Sequence, residues 1–209
     1  MRKGLFLTFE GIDGCGKTTQ ARLLARRLRR LGLNVLLTRE PGGTSLGKRL
    51  RPILLHPKSK ICPEAELFLY LADRRQHVEE TILPALKEGK VVISERFSDS
   101  TFAYQGAGRG LPRKYLEGLN RLATGGLKPD LTFLLDLSPA AARIRKANHP
   151  RPADRFERLK GSFHQRLAEE YRKLAAKEPN RIRLIRASGS VQQVHARVMK
   201  ALTISSERS

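Results

Sequence analysis

The sequence predicts an α/β fold, a mostly parallel five-stranded sheet flanked by helices. Three observations lead there. Five short runs rich in Val, Ile or Leu alternate with helical patterns, and a glycine-rich loop joins the first run to the first helix. Once these elements are assigned, the 209 residues leave no repeat, low-complexity linker or second domain. Alternating strands and helices put helices on both faces of a sheet, which buries the strands and makes them parallel. A chain of this length buries roughly 70% of its unfolded surface, so a single domain over residues 1–204 is expected.

The first strand is LFLTFE, Leu5 to Glu10. The helix after it puts Ala21, Leu24, Leu28 and Leu31 on one face and Arg22, Arg26, Arg29 and Arg30 elsewhere, and Gly32 stops it. A second strand, Asn34 to Thr38, runs into REPGGT, whose Pro41, Gly42 and Gly43 signal a turn. A long helix is expected from about Pro63 to Lys87, ending at Gly89, and KVVISE, LTFLLD and RIRLIRA supply three more strands. Lys146 to Asp154, KANHPRPAD, breaks the alternation: it is polar, carries two prolines and stands among Arg143, Arg145 and Arg155. It is expected to be mobile and to act as a lid over about residues 143–157. Ser205 to Ser209 read as a frayed tail.

Composition excludes several classes. The hydrophobic fraction is 40%, and no run approaches the eighteen or so apolar residues of a membrane span. MRKGLFLTFE leads into a glycine loop where a signal peptide would be cleaved, so a cytoplasmic protein is expected. Cys15 and Cys62 fit neither a disulfide framework nor a metal-ligand spacing and are read as reduced thiols. The formal net charge of +21 creates a field that attracts polyanions, including nucleotides, nucleic acid and anionic membranes.

Chemistry centres on FEGIDGCGKTTQ. Gly11 to Thr18 fits G-x-x-x-x-G-K-[ST] with a strand before it and a helix after it, the arrangement that cradles phosphates. The residues read as ATP-binding are Gly11, Ile12, Asp13, Gly14, Cys15, Gly16, Lys17, Thr18 and Thr19. Lys17 is expected at the β and γ phosphates and the Thr18 hydroxyl on Mg²⁺. The motif places the chain in the P-loop NTPase fold. It serves kinases, motors, switches and nucleic-acid-driven ATPases alike, so the acceptor must be read elsewhere.

Asp13, inside the loop, suits a sugar hydroxyl of the acceptor. Tyr70 and Arg74 are spaced i, i+4 and offer an aromatic plane beside a bidentate donor for a base; the alternative is a core aromatic and a solvated arginine. Glu95 and Arg96 stand at the carboxyl end of the third strand, where open α/β sheets place ligands. Arg96 suits a phosphate and Glu95 a metal's waters. Ser100, Thr101, Tyr104 and Gln105 form a neutral polar set suited to a pyrimidine and its sugar.

From Phe9 to Glu157 the motifs FEGIDGCGKTTQ, REPGGT, ADRRQH…LPAL, ER-F…S-x-x-A-Y-Q-G, PD-L-T…LD and DRFE follow one another as in the bacterial thymidylate kinases, which this sequence resembles. The resemblance implies ATP-dependent phosphorylation of dTMP to dTDP on the way to dTTP, with Mg²⁺ accompanying ATP, by a homodimer. It implies Asp13 on the sugar 3′-hydroxyl and Tyr70 stacked on thymine, where the family usually has Phe. It implies Arg74 on the base, Arg96 and Arg39 on the acceptor phosphate, Ser100, Thr101 and Gln105 along the base, and Tyr104 against a ribose 2′-hydroxyl. Glu95 stands where the family more often has Asp. No basic residue occupies Ile12 to Cys15, so the resemblance assigns a catalytic cation to the lid, where Arg145, Arg151 and Arg155 are placed to serve; Arg145 and Arg155 are expected to join Lys17 and Arg96 in catalysis and Arg151 to bind ATP. Two other readings stay open, a kinase for a related small acceptor and a nucleic-acid-binding ATPase. Against the second stand 6% aromatics with no interleaved stacking platform, so specific nucleic-acid binding is not expected.

Overall fold

The five expected runs all form strands: β1 (Leu5–Glu10), β2 (Val35–Arg39), β3 (Val91–Glu95), β4 (Leu131–Asp136) and β5 (Ile182–Arg186). In the computed structural model, which describes residues 4–148 and 152–206, they lie in the order β2-β3-β1-β4-β5 with every neighbouring pair parallel. Successive side chains point to opposite faces. Phe6 and Val92 therefore pack with Val78, Ile82 and Phe97, while Leu7, Phe9, Ile93 and Phe133 pack with Leu24 and Leu28. Each fully buried side chain of this kind stabilises the fold by about 1.5–3 kcal/mol. Burial on both faces explains why the strands read as nearly continuous apolar runs.

The register positions the site. Phe9 and Arg39 both lie opposite Glu95, so β1, β2 and β3 end at one level, and β4 flanks the other side of β1. The crossover leaving β1 runs toward β2 and the one leaving its neighbour β3 runs the opposite way to β4, which opens a crevice above the carboxyl ends of these strands.

α1 (Lys17–Arg30) buries Gln20, Ala21, Leu24, Ala25 and Leu28. Leu31, expected on that face, instead follows the last helical residue and is exposed, because the chain is already turning into Gly32. α2 (Ser45–Leu55) is capped by Thr44, whose Oγ1 accepts from the Gly47 N–H at 3.0 Å. The expected helix from Pro63 to Lys87 is continuous but carries a π turn, Val78–Ile82, between α3 (Pro63–His77) and α4 (Leu83–Lys87). Pro84 lies just after it, and a proline in a helix interior removes a donor and crowds the preceding turn, which a widened turn relieves.

After β3 come α5 (Ser98–Thr101) and a second π-helical segment, Phe102–Gly108, then α6 (Arg113–Thr124). The chain continues through α7 (Pro139–Ala147), α8 (Gly161–Lys177) and α9 (Val191–Ser206). Arg143, Arg145 and Lys146, at the start of the expected lid, belong to α7. Arg151 lies outside the described residues. Of the expected tail, Ser205 and Ser206 fall within the bounds of α9, and 207–209 lie outside the described residues. Among the described residues no helix is long and apolar enough to cross a membrane.

Candidate active site

The loop after β1 turns tightly enough that a Cβ on Gly11 would stand 2.6 Å from the Leu135 carbonyl oxygen. Gly16 opens α1 at φ +104°, a conformation that other residues rarely adopt. Ile12 and Cys15 point their side chains into the core, and burial pushes the Cys15 thiol up. Lys17 Nζ donates to the Gly11 and Ile12 carbonyls at 3.0 and 2.9 Å and lies 3.9 Å from the Asp13 carboxylate. Arg145 reaches over from α7 and donates to the carbonyls of Cys15 and Ala187 at 3.2 and 2.6 Å. A cavity of about 430 Å³ opens between these groups, bordered also by Gly14, Thr18 and Thr19.

A second cavity, of about 360 Å³, adjoins the first. Asp13, Arg39, Tyr70, Arg74, Arg96, Ser100, Thr101, Tyr104 and Gln105, the residues read as an acceptor site, all line it. Asp13, Thr18 and Glu95 border both cavities.

Arg96 is the centre of this second cavity and adopts φ +71°, a left-handed conformation costly for a residue with a side chain. The conformation aims its guanidinium at Asp13 Oδ1 (2.6 Å), the Tyr104 hydroxyl (2.8 Å) and Ser100 Oγ (3.2 Å). Burial alone would raise the Asp13 carboxyl, but the charges of Arg96 and Lys17 outweigh it and hold Asp13 well below the usual carboxylate range. Behind Arg96, Glu10 is buried and accepts from the Phe97 N–H, Ser100 Oγ and the Tyr171 hydroxyl at 2.8, 2.7 and 2.9 Å. Burial pushes the Glu10 carboxyl up.

Arg74 is fully buried and is neither a solvated arginine nor a free donor. Its Nε donates to Glu40, Nη1 to Thr101 and Asn120, and Nη2 to the Phe97 carbonyl, all within 3.0 Å. Tyr70, Tyr104 and Phe156 form an aromatic group, with Phe156 6.4 Å from Tyr70 and 5.3 Å from Tyr104. Arg39 is exposed and has no hydrogen-bond partner among the described residues, so its guanidinium is available to an anion.

Thr18 Oγ1 donates to both Glu95 oxygens at 2.9 and 2.8 Å. A hydroxyl and one carboxylate are hard oxygen donors of the kind that suits Mg²⁺, which keeps several waters and takes further ligands from substrate phosphates. No group of three or more His, Cys, Asp or Glu that could hold a metal ion occurs among the described residues.

Arg155 stands apart from Arg145. Its Nη1 lies 2.7 Å from the buried Glu66 carboxylate and its Nε donates to the Leu54 carbonyl at 3.1 Å, while Nη2 is buried without a partner among the described residues. The structure thus brings Arg145, but not Arg155, to the phosphate loop. Sequence reasoning also missed Glu10, Glu40, Arg51, Glu66, Asp154, Phe156 and Tyr171. The DRFE motif was a signal for Asp154 and Phe156; nothing local marked the buried acids.

Two cavities that share Asp13, Thr18 and Glu95, one of them walled by a phosphate loop, define a P-loop kinase. The pattern of the thymidylate kinase family matches residues 9–198. The chain is 50% identical over 200 residues to a thymidylate kinase of Pelotomaculum thermopropionicum, covering 95% of this chain and 93% of the relative. It is 51% identical over 206 residues to one of Geobacter sp., covering 95% and 91%. The crystal structure of thymidylate kinase from Ehrlichia chaffeensis superposes with a TM-score of 0.80 at 36% identity, covering 96% of this chain and 99% of that one. The chain belongs to the thymidylate kinase family.

Proposed function

We infer that this protein transfers the γ-phosphoryl group of ATP to dTMP, giving dTDP. It is an ATP-dependent phosphotransferase, and the nucleic-acid-driven ATPase reading is not favoured. The observation that carries the inference is the junction of the two cavities at Asp13, Thr18 and Glu95 in a chain of this family.

Phosphoryl transfer asks for positioning and charge neutralisation more than for covalent chemistry. The dTMP phosphate is already anionic at neutral pH, so no general base is required. Arg96 and Arg39 hold that phosphate, and Asp13, held ionised by Arg96 and Lys17, accepts from the sugar hydroxyl. Tyr70 lies along the base with Phe156 beside it, and Ser100, Thr101 and Gln105 line its edge while Tyr104 crowds the ribose 2′ position. Lys17 and Arg145 neutralise charge on the donor side. Arg155 joins them only if its ion pair with Glu66 opens. Mg²⁺, held by Thr18 and Glu95, supplies charge stabilisation on the ATP phosphates when bound.

The buried walls set the selectivity. A single methyl in an apolar pocket gives roughly 10- to 200-fold discrimination, so some dUMP turnover is expected, and purine monophosphates are excluded by size. We also propose a cytoplasmic homodimer. Phe68 and Leu122, 58% and 73% exposed, border one groove between α3 and α6 and supply an apolar face for pairing.

The test is to mix purified protein with Mg-ATP and each nucleoside monophosphate in turn and follow ADP release. Selective turnover of dTMP is expected. Absence of dTMP turnover together with hydrolysis stimulated by DNA or RNA overturns the reading.

A further inference from the structure

Glu66 lies in the first turn of α3, a place where an acidic side chain ordinarily faces water and complements the helix N-terminus. Here it is fully buried. It receives three side chains from distant parts of the chain. Gln105 Nε2 donates to its Oε1 at 2.9 Å, Arg109 grips it through Nε and Nη2 with the shortest contact at 2.8 Å, and Arg155 lies 2.7 Å away. Helix-terminus electrostatics needs none of these partners, and one arginine would suffice to neutralise the charge.

The contact with Gln105 has a chemical consequence. A primary amide has a donor end and an acceptor end and is otherwise nearly symmetric, so its neighbours decide which end faces a ligand. An ionised carboxylate only accepts, so Glu66 takes the NH₂ end. Gln105 lines the acceptor cavity, and its Oε1 has no partner among the described residues. The acceptor end is therefore the end left to face the cavity.

We propose that Glu66 is a positioning residue for base selectivity: it locks the Gln105 amide so that an acceptor oxygen meets the base, admitting thymine or uracil, whose N3 carries hydrogen, and rejecting cytosine, whose N3 carries a lone pair. Arg109 and Arg155 hold the carboxylate in place for this task. Arg155 also ties the same lock to the segment that brings Phe156 and Asp154 to the cavity. The proposal rests on the dTMP reading above and adds to it the origin of discrimination against cytosine.

The test compares kcat/KM for dTMP, dUMP and dCMP in the wild type and in Glu66→Asp. Aspartate keeps the charge, and the long arginine side chains can follow the carboxylate inward. Gln105, on a shorter stem, cannot, and its amide is released. The dCMP:dTMP ratio is expected to rise about tenfold or more, while dUMP:dTMP stays within about twofold because both bases carry the N3 hydrogen. A merely structural role for Glu66 lowers all three acceptors by a common factor, and unchanged ratios overturn the proposal. Should Glu66→Asp fail to fold, Glu66→Gln combined with Arg155→Met removes one cation with the anion, and the same ratios decide. A wild type that does not use dTMP at all refutes the dTMP reading itself, and with it this inference.

Discussion

The donor and acceptor halves of the site are made of different material. The donor cavity is walled chiefly by one contiguous stretch, Asp13 to Gln20, with Glu95, Arg145, Lys146 and the segment 189–194 completing it, and its main groups are the loop backbone plus Lys17 and Arg145. The acceptor cavity is assembled from side chains of the β2 end, α2, α3, the segment after β3 and the Asp154–Phe156 turn. Behind it stand interlocked buried charges: Glu10 beneath Arg96, Glu40 with Arg74 and His77, and Glu66 with Arg109 and Arg155. A backbone cradle needs glycines at fixed spacings and little else. A cradle of buried ions needs every member, since deleting one leaves its partner uncompensated at a cost of about 3–5 kcal/mol.

The largest expected effect separates the halves. Lys17→Ala lowers kcat on the order of 10³-fold, with dTMP binding measured by calorimetry unchanged. Loss of dTMP affinity in that variant breaks the division. The two arginines once grouped as lid residues sharpen it next. Arg145→Ala, on the donor side, lowers kcat on the order of 10²-fold at unchanged dTMP KM. Arg155→Ala, whose partner Glu66 belongs to the acceptor side, shows chiefly as a raised dTMP KM, and steady-state kinetics on both variants checks the contrast.

A third prediction concerns Asp73, whose Oδ2 is buried without a partner among the described residues. Burial and the neighbouring Glu40 carboxylate raise its pKa from 3.8 to about 6. Between about pH 4 and pH 6 the folded protein holds a proton that the unfolded chain has released, so this group makes stability fall as pH rises through that window. The cost is complete above it. Asp73→Asn, which keeps the acceptor for the Gly42 N–H, gains about 3 kcal/mol over the wild type at pH 7 and loses that part of the pH slope, as read by denaturant titration. The smallest effect falls at the junction: Glu95→Gln raises the Mg²⁺ concentration for half-maximal rate about tenfold, leaving dTMP KM in place.

What was legible in the sequence follows the same division. The strands were readable because burial on both faces turns each into a short apolar run, and the phosphate loop because its constraints fall on adjacent residues. The residues read as an acceptor site line one cavity, but nothing in the sequence marked what holds them there. Arg74 offered a choice between base reader and solvated arginine; it is not solvated, since it is buried among Glu40, Thr101, Asn120 and Phe97 while lining the acceptor cavity. Glu66 looks like any acid in the first turn of a helix, because the groups that bury it are 39, 43 and 89 residues further along the chain, at Gln105, Arg109 and Arg155. Arg145 and Arg155 were joined by proximity in sequence and are separated by where α7 and the following turn deliver them.

The contrast between the two thiols has a practical side. Cys15 is buried in the phosphate loop, whereas Cys62 is exposed at the start of α3. A maleimide fluorophore added to the natural chain near neutral pH therefore couples at one point, because only an accessible thiolate reacts. That point is the foot of the helix bearing Glu66, Tyr70 and Arg74, so a label is placed on the element that carries acceptor-side residues without any substitution to introduce it.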